Sequence, residues 1–145
     1  MSPRHAKEVT LKAATTILTA LGLVAVAAGL AGLGAQQAGF KRTVLQQSKL
    51  SVPGREAVTA IAEFQPGGTV GAHTHPGEEI GYVLQGSIVL EQEGRAPVTL
   101  TAGQTFFIPN GQVHNATNKS ASVARVLANY VVESGKPVAT PAPAR

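Results

Sequence analysis

The chain of 145 residues has no cysteine, no tryptophan and no aspartate. Without thiols there is no disulfide framework, no thiolate metal site and no cysteine nucleophile. With no aspartate, every acidic side chain is one of eight glutamates. Concentrated positive charge is missing too. The formal charge of +4 is divided evenly between the first 35 residues and the rest, and no basic run exceeds Lys41-Arg42. No aromatics are interleaved with that pair, so nucleic acid is not an expected partner, and Lys41 and Arg42 read as the solvated start of a strand. Beyond residue 40 no helical period persists.

What is present begins with a polar, basic stretch over residues 1–12, followed at 13–35 by AATTILTALGLVAVAAGLAGLGA, which carries no charge. A basic start ahead of an apolar run keeps its positive end on the cytoplasmic side while the run partitions into the bilayer, which is the pattern of an export signal. Residues 1–35 therefore read as a signal peptide ending between Ala31 and Ala38. The alternative is an N-terminal membrane anchor, because the run is longer than the ~7–15 apolar residues usual for a signal. The expected location is periplasmic or extracellular, or membrane-anchored through residues 13–35, and that segment is the only expected membrane contact.

From Phe40 to Val132 short apolar runs alternate with breakers. The runs fall at 41–46, 57–64, 69–75, 79–84, 86–92, 97–102, 104–109, 112–117 and 122–132, with Pro53-Gly54, Pro66-Gly67-Gly68, Pro76-Gly77, Gly94 and Asn110-Gly111 among the breakers. Turns every ~8–12 residues predict an all-β sandwich or barrel. The domain is expected over 39–133, and residues 134–145, rich in Pro and Ala, are expected to be a disordered tail.

His73, His75 and His114 are the histidines of that domain; the fourth, His5, precedes it. His73 and His75, two apart on a strand, face the same way about 7 Å apart and can reach one ion. Glu79 opens the next run after the Pro76-Gly77 turn and can return to that face. Glu78 alternates to the other face and reads as solvated. His114 follows the Asn110-Gly111 turn. Three neutral imidazoles and a carboxylate suit one divalent metal ion: Fe, Mn, Ni, Zn or Cu. Phe106, Phe107, Tyr82 and Tyr130 read as core or interface residues, one of the two phenylalanines facing inward by alternation.

The stretch from Gly67 to Gly86, GGTVGAHTHPGEEIGYVLQG, resembles the first motif of the cupin superfamily, with Gly67, His73, His75, Glu79 and Gly86 at its positions. The stretch from Gly103 to Asn118, GQTFFIPNGQVHNATN, resembles the second, with Gly103, Pro109, Gly111, His114 and Asn118. The 16 residues between the motifs are at the short end for the family, and the resemblance covers about 95 residues. It implies a conical β-barrel (a double-stranded β-helix, or jelly roll) of the small single-domain type, with His73, His75, Glu79 and His114 as metal ligands. It implies a small-molecule ligand or substrate. The reading that follows is a small metalloenzyme on a chelating substrate, dioxygenase-, isomerase- or decarboxylase-like; the alternative is a non-catalytic metal- or small-molecule-binding protein. No catalytic acid or base stands out from the motifs. A homodimer paired through the N-terminal strand at 41–46 is a further expectation from the family. Arg55, Arg95 and Arg125 cannot be assigned to the mouth of the barrel from sequence.

Overall fold

The computed structural model describes residues 38–143, so the signal or anchor expected at 1–35 lies outside the described residues. The described residues are all-β, as expected, in ten strands: β1 (Phe40–Lys49), β2 (Arg55–Phe64), β3 (His73–Thr74), β4 (Gly77–Gln85), β5 (Ser87–Gln92), β6 (Val98–Thr101), β7 (Thr105–Ile108), β8 (His114–Thr117), β9 (Ala124–Glu133) and β10 (Thr140–Pro141). They form two antiparallel sheets, ordered β1-β2-β9-β4-β7 and β10-β3-β8-β5-β6.

Alternation decides which residues point between the sheets. On β2 every second residue from Glu56 to Phe64 is buried, and on β9 every second residue from Ala124 to Val132. The core joins Phe64, Val83, Ile108 and Val126 of the first sheet to Ile88, Leu90, Leu100 and Ala116 of the second. Each of the larger of these side chains stabilises the fold by about 1.5–3 kcal/mol on burial. Ala60, Ala62, Ala124 and Ala128 occupy the same inner face of β2 and β9. Of these, Ala62 lines the cavity that holds the candidate site.

Gly77 and Gly86 are among the glycines needed for close approach. Gly86 turns β4 into β5 at φ 70°, and a Cβ on it would lie 2.7 Å from the Val123 carbonyl oxygen. Gly77 opens β4, and a Cβ there would meet the Val131 carbonyl oxygen at 2.1 Å. Because the obstacle is backbone, β4 and β9 could not pair at this register with any larger residue at position 77.

The structure departs from the sequence reading at two places in the fold. The strand expected at 69–75 shrinks to His73–Thr74, with Thr69 making only an isolated bridge to Thr117; between them the chain turns at Gly71, φ 77°. The tail expected at 134–145 instead supplies β10, which pairs antiparallel with β3 as Thr140↔Thr74 and Pro141↔His73. A two-residue strand containing proline has no strand signature in sequence, yet proline is tolerated at a sheet edge, where its missing N–H leaves no gap in a ladder.

Candidate metal centre

His73 on β3 is paired directly with His114 on β8. His75 follows β3, and Glu79 lies on β4 opposite both Tyr130 on β9 and Ile108 on β7. All four expected ligands are buried, His73, His75, Glu79 and His114 being 5%, 2%, 6% and 4% exposed. One ligand atom from each of His73, His75 and His114 can be chosen so that all three lie within 4.8 Å of one another. Glu79 Oε2 is 2.9 Å from His75 Nε2 and 3.2 Å from His114 Nε2. Glu78, as expected, is on the opposite face of β4.

The orientation of the imidazoles is set by backbone carbonyls. The Nδ1–H groups of His73, His75 and His114 donate to Gly71 O at 2.8 Å, Val138 O at 2.5 Å and Gln112 O at 2.9 Å. A ring that donates through Nδ1 keeps its lone pair on Nε2 when neutral, and a carbonyl in this position both fixes the ring and raises its basicity toward a metal. The turn after β7 is tied in as well, since Gly111 N–H donates to the His75 carbonyl at 3.1 Å. His114 Nε2 makes no hydrogen bond although it is buried, because its approach to Glu79 lacks hydrogen-bond alignment. A buried imidazole nitrogen aimed at a carboxylate without hydrogen-bond geometry fits a pair of metal ligands. The donor set of three imidazoles and one carboxylate suits a borderline divalent ion.

The electrostatics keep His73 and Glu79 in ligating form. Burial, reinforced by His114, lowers the pKa of His73 to about 3, so its ring stays neutral at physiological pH. Burial alone would raise Glu79, but contacts with His114 and His75 outweigh it and bring the carboxyl down to about 2. With Nδ1 of His75 committed to Val138, the 2.9 Å contact from Nε2 to Glu79 requires a proton between them. A metal ion entering the cluster would displace that proton.

Two residues of the cavity were not legible as such in the sequence. Tyr130, read as core or interface, is buried, but its ring lies 4.8 Å from that of His75. Burial, and then the charge of Glu79, raise its hydroxyl pKa, so it remains a protonated donor. Arg42, read as solvated, is only partly exposed, and its guanidinium carbon sits 5.6 Å from the ring centroids of both Phe40 and Tyr130. Its Nε is buried without a hydrogen-bond partner, which costs about 1–3 kcal/mol for a neutral donor and more for a charged one. Arg42, Tyr130, His73, Glu79 and His114 line one small cavity, walled by apolar side chains such as Phe64, Val70 and Phe106. Phe106 is therefore the inward member of its pair, and Phe107 is 52% exposed. Asn118 takes no part in the site. It is buried in a loop, donating to the Phe64, Gln65 and Ser122 carbonyls and accepting from Ser120.

The family "Cupin domain" matches residues 60–133, just over half of the chain. The chain belongs to the cupin family, and its fold is the small single-domain barrel that the two motifs imply. Among relatives, the HTH-type transcriptional regulator PuuR of Escherichia coli (strain K12) is 40% identical over 79 residues, covering 54% of this chain and 42% of the regulator. The chain thus matches less than half of the regulator's length. The oxalate-binding protein of Thermotoga maritima is 33% identical over 86 residues, covering 59% of this chain and 70% of that protein. Among solved structures, oxalate oxidase in complex with the substrate analogue glycolate has a TM-score of 0.52 at 26% identity, covering 60% of this chain and 52% of that one.

Proposed function

We propose that this is an exported cupin whose barrel holds one divalent metal through His73, His75, Glu79 and His114 and presents it to a small chelating substrate. The observation that carries the reading is the tethering of three Nδ1 atoms to three backbone carbonyls, which leaves the Nε2 edges for the centre beside Glu79. A bound ion would act as Lewis acid and template. The chain's own residues do the rest. Glu79 partly neutralises the ion and leaves the centre net positive, which favours anionic guests. Tyr130 keeps its proton and can donate a hydrogen bond. The apolar wall of Phe64, Val70 and Phe106 limits water and strengthens each polar contact. An oxidase in complex with glycolate and an oxalate-binding protein among the relatives support small carboxylates as the guest class.

A second reading is a binding or sensing protein without turnover. It is favoured by the likeness to two relatives, a regulator and a binding protein. The test is elemental analysis of the mature protein, purified without tag or chelator, beside His75→Ala, followed by oxygen uptake and product analysis with oxalate and glycolate. About one metal ion per chain, absent in the variant, together with turnover, is the expected result. Metal and ligand held without turnover would establish the binder. A wild-type protein that takes up no metal even after reconstitution would overturn the site.

A further inference from the structure

We propose that Arg42 is a specificity-determining residue of the cavity, binding the second acid group of a short dianionic carboxylate whose first acid group meets the metal. The inference deepens the metal reading above and rests on it. Arg42 lies on β1, outside both sequence motifs, yet it reaches the same cavity as His73, Glu79 and His114. Its cross-strand partner is Ala62, whose side chain is too short to block the arginine from bending over the barrel. The faces of Phe40 and Tyr130 hold the guanidinium carbon at 5.6 Å each, a cation–π clamp that fixes the group, and the Tyr130 hydroxyl lies within reach of one of its N–H groups. The buried Nε–H has no hydrogen-bond partner. Among the described residues no glutamate reaches Arg42 in a salt bridge; Glu63, on the neighbouring strand, is engaged by Arg125 at 2.8 Å. A planar, permanently charged fork without a carboxylate of its own is suited to receive one from a guest.

Charge sets the guest's valence. Glu79 and Arg42 offset each other among the cavity's lining residues, and imidazoles that ligate a metal do so in the neutral form. A divalent ion then leaves an excess of roughly two positive charges in an apolar enclosure. A dianion neutralises the site, whereas a monoanion leaves one charge unmet. Arg42 and Glu79 both flank the Tyr130 ring and hydroxyl, so the two anchors are close and the guest must be short.

The test is calorimetric titration of the manganese-loaded and metal-free protein with oxalate, malonate and glycolate, in wild type, Arg42→Gln, Arg42→Lys and Lys41→Gln, with bound metal measured in each. In the loaded wild type, oxalate or malonate should bind more tightly than glycolate. Arg42→Gln should weaken the dianion about 10- to 100-fold, removing most of its advantage over glycolate, while bound metal stays unchanged. Arg42→Lys should recover only part of the loss, because an ammonium cannot pair bidentately. Lys41→Gln removes the same charge from an exposed neighbour and should change little. Equal dianion affinity in Arg42→Gln and wild type, both loaded with metal, overturns the proposal alone. A wild type that takes up no metal overturns the metal reading and the proposal with it.

Discussion

At the scale of single residues, the four donors were legible because two rules locate them. Alternation puts His73 and His75 on one face, and the motif spacing adds Glu79 and His114. Arg42 and Tyr130 were not legible. Both lie outside the motifs, and their direction depends on strand register, which composition and periodicity leave open. The donors' ionisation carries a testable consequence for the metal-free protein. His73 titrates near 3 in the fold against 6.5 ordinarily, and Glu79 near 2 against 4.5. In both windows the unfolded chain binds more protons than the folded one, so stability falls as pH drops. The loss should begin near pH 6.5 through His73 and be joined below pH 4.5 by Glu79. Melting temperatures of metal-free protein between pH 7.5 and 4 check this, and His73→Gln should flatten the upper part of the curve. Unchanged melting across that range would contradict the neutral, buried His73.

At the scale of elements, the nine strands expected from the sequence were largely where the apolar runs placed them. The tenth escaped because its signal is absent, not weak: β10 is two residues long, contains Pro141, and lies among small and polar residues. It exists because β3 offers it an edge, which is information carried by tertiary structure alone. Just before it, Val138 supplies the carbonyl that orients His75. Deleting residues 134–145 should therefore leave the barrel folded while lowering metal affinity by roughly 10–100-fold, the usual cost of losing a ligand's supporting hydrogen bond. Competitive titration against a coloured chelator measures it, with circular dichroism to confirm the fold. Undiminished affinity would mean that the Val138 carbonyl contributes nothing to the site.

At the scale of the whole molecule, the barrel was recognisable from two motifs, but a barrel does not specify a reaction. The proposals that concern the whole chain are export and pairing. β1 is an edge strand with Val44 and Leu45 53% and 59% exposed, and the proposed homodimer would form through it. Native mass spectrometry of protein recovered from outside the cytoplasm addresses both. The expected species is twice the mass of a chain that begins between residues 32 and 39. A full-length mass held in the membrane fraction would favour the anchor instead, and a single-chain mass would remove the dimer.

The contact between His75 and Val138 spans 63 positions of sequence. A chain emerging from a ribosome or threading a translocation channel presents its histidines long before it presents the carbonyl that aims one of them. Until then the cluster is unfinished and holds an ion poorly. If the chain is exported unfolded, it crosses empty. The choice among iron, manganese, nickel, zinc and copper would then pass from the cytoplasm to whatever compartment the barrel closes in, and any metal bound there would be a record of where the chain folded.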